Sequence, residues 1–189
     1  PITAAHCVWV EPSDIKLLAD KGVNVSLNPA SNMKLASGFA PVDAMLRAGV
    51  HCSLGTDGMA SNNTHNMLQS AYLLACAQKG NELDPAIITP KQILQMLTVN
   101  GARAQRRDDC GVLAQGKRAD LIVMDMDTPW MTPVHDIATN LVYSANGADV
   151  VLTMCDGQVL YEDGEYKTID IEKAKAEVKR SVDEVLKTL

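Results

Sequence analysis

Three short apolar runs, Ile2 to Val10, Val23 to Asn28 and Val50 to Asp57, recur through the first sixty residues, each followed by a segment with helical signals. This alternation narrows the fold more than anything else in the chain. Strand, helix, strand, helix, strand, helix implies a parallel sheet joined by right-handed crossovers, an α/β architecture. "SDIKLLADKG" carries Ser13 as a cap, apolar Ile15, Leu17 and Leu18, and Gly22 as terminator. "PVDAMLRAG" places Pro41 in the first turn of a second helix and Gly49 after its end. A longer helix is expected from His65 to Lys79. Another opens at Thr89-Pro90 as "TPKQILQMLTVNGARAQ", with Ile93, Leu94, Leu97 and Ala104 near helical spacing.

Three such units do not close a barrel, and a three-stranded parallel sheet covered on one side leaves apolar surface exposed. The chain opens at Pro1 already inside a strand pattern. It therefore reads as a piece of a longer protein, with an unpaired backbone edge at Ile2 that invites association. From Gly111 the texture changes. "ADLIVMD" and "DVVLTMCDGQVLYEDGEY" read as short antiparallel strands, with a hairpin at Asp156-Gly157. Asp170 to Leu189 reads as a charged helix whose stripe is Ile171, Ala174, Val178, Val182, Val185 and Leu189. The expected partition is 1–110, 111–166 and 167–189.

Charge and cysteine usage exclude several classes. The chain carries a net charge of −6, and its only basic cluster, in the last helix, alternates with acids. A nucleic-acid partner is not expected on electrostatic grounds. No apolar run approaches membrane-spanning length, and no basic-then-apolar leader opens the chain. The five cysteines are scattered, with no C-x-x-C pair. Cys7, Cys52 and Cys155 fall in strand-like runs as small hydrophobes, which suits a reducing cytoplasm rather than a disulfide framework.

In a parallel α/β sheet, reactive groups gather at the carboxyl ends of strands. Here three such ends carry polar residues: His6, Asn28 with the loop "NPASN", and Asp57 after "SLGT". Asp57 between Thr56 and Gly58 is also what an ordinary turn uses, and His6 alone could be a hydrogen-bonded core residue. A histidine and a carboxylate at one rim of one sheet can nevertheless converge on a single metal or water, since zinc accepts both donor types. His51 begins its strand on the opposite rim and reads as structural. His65, beside the Asp57 loop, lies close enough to touch a substrate, although a solvated helix entry suits it as well. His135 reads as a loop hydrogen-bonder.

Five ordered stretches, "TAAHCVWV", "NPASNMKLASGFAPV", "LGTDGMASNN", "GKRADLIVMD" and "NLVYSANGADV", resemble the amidohydrolase superfamily. Within it they are similar to the deaminases of S-adenosylhomocysteine and 5′-methylthioadenosine. The resemblance implies the C-terminal part of a (β/α)8 TIM-type barrel, strands six to eight within 1–110. It also implies part of a flanking β-sandwich in 111–166 and reaches to about Tyr166, while the C-terminal helix in 167–189 rests on its own apolar stripe. It implies one divalent metal, Zn²⁺ foremost with Fe²⁺ as an alternative, ligated by Asp57, which also takes a proton from the attacking water. His6 then orients that water or the developing tetrahedral centre. Asn32, Ser61, Asn62 and His65 are expected around the nucleoside.

The same resemblance places the remaining metal ligands and a proton-shuttling glutamate upstream of Pro1. The chain alone is thus expected neither to hold metal tightly nor to deaminate. A small-molecule nucleoside substrate is implied, with a homo-oligomer or association with an N-terminal half. Rival readings are a guanine deaminase, a triazine chlorohydrolase, a non-catalytic barrel scaffold and a split protein.

Overall fold

A proline in the first turn or an Asn, Thr or Asp cap opens most of the helices, and short apolar runs form the strands between them. The computed structural model describes residues 2–188. In order, it has β1 (Thr3–Ala5), α1 (Pro12–Asp20), β2 (Asn24–Leu27), α2 (Pro29–Lys34), α3 (Val42–Arg47) and β3 (His51–Leu54). Then come α4 (Met59–Asn62), α5 (Met67–Glu82), α6 (Pro90–Leu97) and α7 (Val99–Ala104). The three strands form a parallel sheet in the order β1-β2-β3, with Ala5 opposite Ser26 and Ser26 opposite Ser53. The central strand is the most enclosed, as a parallel strand flanked on both edges should be: Val25 and Leu27 are fully buried. Around them pack Cys52, Leu54, Met45, Leu74, Ile93 and Met96. Each large apolar side chain buried this way contributes roughly 1.5–3 kcal/mol. Asn100 on α7 donates to the Cys52 carbonyl at 2.8 Å and ties that helix to β3.

Several elements differ from the sequence expectation for local physical reasons. The first strand is only three residues, because His6 and Cys7 take left-handed φ values of 66° and 46°. The Cys7 N–H then turns back to the Ala5 carbonyl at 2.8 Å, which ends the ladder. Trp9, expected within that strand, is 87% exposed. "NPASN" is not a loop but the start of α2, with Pro29 at its first position, where a missing N–H costs nothing. The helix expected at His65 begins at Met67, capped by the Asn66 side chain, which accepts from the Gln69 N–H. The segment after Thr89 is two helices, broken at Thr98, whose φ and ψ of −120° and −96° cannot continue a helix.

The second region contains β4 (Leu121–Met124), α8 (Ile137–Tyr143), β5 (Val150–Cys155), β6 (Gln158–Glu162) and β7 (Glu165–Tyr166). The strands form an antiparallel sheet in chain order. Asp156 and Gly157, both at positive φ, make the tight hairpin turn between Cys155 and Gln158. Two arginines join this sheet to the end of α7: Arg107 pairs with Asp109 and Asp120, and Arg118 with Asp109 and Asp156. The segment 111–166 is not sheet alone. Helix α8 packs on α5 and α6, with Val142 fully buried and Tyr143 edge-on to Tyr72. The last helix, α9, spans Ile171–Leu186; its Val178, Val182 and Val185 are exposed, and Leu189 lies outside the described residues. Among the described residues, no helix is long and apolar enough to cross a membrane.

Candidate active site

The carboxyl end of β1 delivers His6, and the carboxyl end of β3 leads through Gly55-Thr56 to Asp57. Both residues sit in left-handed backbone, φ 66° and 62°. Such conformations cost a side-chain-bearing residue of order 1–3 kcal/mol and persist only where surrounding contacts impose them. At His6 that contact is backbone: its N–H donates to the Ser26 carbonyl at 2.9 Å. The outcome is convergence. His6 Nε2 lies 3.9 Å from Asp57 Oδ2, with both side chains partly open to solvent.

Asp57 is surrounded by donors. Its Oδ2 accepts from Ser31 Oγ at 2.6 Å, and its Oδ1 from the Gly58 N–H at 2.7 Å. These two bonds, with help from the Ser61 hydroxyl and the nearby His6 ring, hold the Asp57 carboxyl down to about 2. It is therefore ionised throughout the neutral range, an acceptor-only group suited to a hard or borderline cation. On the other side, His6 Nδ1 bonds Asn32 Oδ1 at 2.8 Å. Ser31 and Asn32 are consecutive on α2, and both are buried.

Of the residues expected around a nucleoside, the structure brings three to this rim by different routes. The Asn32 carboxamide oxygen is taken by His6. Ser61 on α4 donates to the Gly58 carbonyl at 3.0 Å, and Asn62 donates to the Thr56 carbonyl at 2.8 Å, so both brace the Asp57 loop. His65 is exposed between α4 and α5. His51 opens β3 at the far end of the sheet. His135 is exposed and makes no hydrogen bond among the described residues, against the expectation of a loop hydrogen-bonder. Cys52 is buried, which pushes its thiol up to about 12, whereas Cys155 is exposed at a strand end rather than buried within it.

Sequence reasoning missed Ser31 and Lys34. Lys34 donates to the Ala60 carbonyl at 2.8 Å and to Asn63, pinning α4 against α2. The only signal for either was their place in the helix that follows "NP".

Among the described residues no three His, Cys, Asp or Glu side chains gather closely enough to hold a metal ion. His6 and Asp57 supply the donor types zinc prefers but fewer than the three protein groups a zinc site uses. The donor set fits a shared metal site and does not complete one.

The chain is similar to several known proteins. The amidohydrolase family model matches residues 2–160. A 5′-deoxyadenosine deaminase of Methanosarcina mazei is 45% identical over 185 residues, covering 98% of this chain and 43% of the relative. A 5-methylthioadenosine/S-adenosylhomocysteine deaminase of Acetivibrio thermocellus is 46% identical, covering 99% of this chain and 44% of the relative. Among solved structures, an adenosine deaminase of Xanthomonas campestris with bound zinc superposes with a TM-score of 0.95 at 32% identity, covering 99% of this chain and 43% of that one. A zinc complex of atrazine chlorohydrolase from Arthrobacter aurescens gives 0.89 at 29% identity, covering 94% and 40%. The chain thus spans less than half the length of these relatives.

Proposed function

The chain belongs to the amidohydrolase family, and from that premise we propose that it supplies one side of a metal-dependent deaminase site for 5′-modified adenosines. The observation that carries this reading is the meeting of His6 and Asp57, 3.9 Å apart, from strands that do not touch. In this reading β1, β2 and β3 are strands six, seven and eight of a (β/α)8 barrel, residues 111–166 belong to a flanking β-sandwich, and 167–189 carry the terminal helix α9.

Asp57 would be one ligand of a divalent metal, zinc being favoured by the donor types, with the other ligands outside this chain. When bound, such a metal would lower the pKa of a water toward neutrality, and Asp57 would be placed to accept its proton. His6 orients the attacking water through Nε2. The water adds at C6 of the adenine ring, ammonia departs, and the inosine analogue remains. Ser61, Asn62 and His65 border the nucleoside, and Asn32 contributes through His6. The substrates in the relatives' names, 5′-deoxyadenosine, 5′-methylthioadenosine and S-adenosylhomocysteine, share adenine and differ at the 5′ position. A cytoplasmic location and assembly of several copies complete the reading.

A triazine chlorohydrolase reading has one observation behind it, the 0.89 superposition, but at 29% identity against 45% for the 5′-deoxyadenosine deaminase. The test is turnover of these three nucleosides, guanine and a chlorotriazine by the protein at its relatives' full length, with zinc, followed by ultraviolet absorbance. Adenine-to-hypoxanthine conversion is expected, lost in Asp57→Asn, and the 189-residue chain by itself should show none. Conversion by Asp57→Asn at the wild-type rate would overturn the assignment.

A further inference from the structure

Strands β1 and β3 lie on opposite sides of β2 and have no bond to each other. Strands two apart are separated by roughly 10 Å, so His6 and Asp57 can meet only by leaning over the end of β2. What stands there is the first turn of α2, where the Asn32 N–H bonds the Asn28 carbonyl at 3.0 Å. Its two consecutive residues reach in opposite directions. Ser31 Oγ takes hold of Asp57 Oδ2, and Asn32 Oδ1 takes hold of His6 Nδ1, at 2.6 and 2.8 Å. Ser31 is 1% exposed and Asn32 6%, so both side chains are largely shielded from water.

We infer that Ser31 and Asn32 form a paired positioning device: α2 sets the separation of His6 and Asp57, and Asn32 fixes which ring nitrogen of His6 carries the proton. A carboxamide oxygen only accepts, so His6 Nδ1 must donate. In the neutral ring Nε2 is then a bare acceptor turned toward Asp57 Oδ2. Two acceptors facing each other at 3.9 Å do not bond each other. They suit a donor held between them, such as a water offering one hydrogen to each. The catalytic meaning of this arrangement rests on the deaminase reading, whereas the ring tautomer rests on the geometry alone.

The deciding measurement is a long-range proton–nitrogen correlation spectrum of the ¹⁵N-labelled 189-residue chain, taken where imidazoles are neutral. His6 is expected to show a protonated Nδ1 and an unprotonated Nε2. Exposed His65 and His135 report the balance of a free ring in the same spectrum. Asn32→Leu, which removes the acceptor, is expected to return His6 to that balance, and Asn32→Asp, which keeps an oxygen, to preserve the Nδ1–H form. A wild-type His6 protonated on Nε2, or an Asn32→Leu spectrum identical to wild type, would sink the proposal. The wild-type spectrum decides by itself if Asn32→Leu does not fold. In the full-length assay, Ser31→Ala and Asn32→Leu should lower kcat with KM nearly constant. Absence of any wild-type turnover would count against the deaminase reading and leave the ring assignment standing.

Discussion

Replacing Gly55 with alanine tests whether the floor of this site is as tightly built as its hydrogen bonds imply. Gly55 sits between the end of β3 and Asp57, and its N–H is held by the Leu27 carbonyl at 2.8 Å. An added Cβ would stand 2.6 Å from Asn28 Oδ1 and 2.9 Å from Ser26 Oγ, well inside the 3.4 Å at which ordinary contact begins. Asn28 is 5% exposed, and its Nδ2 donates to the Ser26 carbonyl at 3.1 Å. Turning it away would strand a buried amide, and lifting the end of β3 would carry Asp57 with it. Overpacking of this kind costs about 1–3 kcal/mol. For a chain of this size that is a fall in Tm of roughly 2–12 °C.

The control is Gly80→Ala in α5, where a Cβ meets nothing within 4 Å. There alanine should stabilise by roughly 0.5–1 kcal/mol, through helix propensity alone. Thermal unfolding of both variants by circular dichroism should therefore show shifts of opposite sign. A Gly55→Ala protein as stable as wild type, or two shifts in one direction, would refute the argument.

Two further outcomes follow from the structure. Acid should destabilise the chain in a defined window, because Asp57 is held down to about 2, chiefly by Ser31, while Asp136 is lowered by Thr139 and Asp120 by the Asp156 N–H. Carboxylates lowered by folding stabilise fully above their unfolded value of about 3.9 and lose that contribution as pH falls through the folded values. Urea midpoints should thus decline between roughly pH 4 and 2, less so in Ser31→Ala, and flat midpoints across that window would contradict the assignment. Val142→Ala, at the fully buried contact of α8 with α5 and α6, should cost about 1–3 kcal/mol. Unchanged urea stability would mean α8 is not part of the core.

Much of the scaffold was readable because its determinants are local. Apolar runs with β propensity, Pro90 at a helix start, and Asp156-Gly157 between two strands each act within a few residues. The same locality explains the failures. In "TPVHDIATNLVY" Asp136 caps the helix by accepting from the Thr139 N–H, but an aspartate suits a turn equally well until Val142 finds its place against α5 and α6. The run to Val10 looks like strand until His6 and Cys7 are forced into left-handed backbone. The apolar stripe of α9 was visible in the sequence, yet no residue of that helix is buried.

For the site, the sequence by itself determined that His6 and Asp57 would end parallel strands, because strand–helix alternation sends every carboxyl end to one rim. Only the tertiary structure decided that they meet. Their encounter depends on the order β1-β2-β3 and on α2 standing over the middle strand. It depends also on Ser31 and Asn32 each reaching a partner 26 residues away. Hydrogen bonds act over about 3 Å of space and carry no trace of the chain length between donor and acceptor. A pattern read along the chain therefore cannot register them.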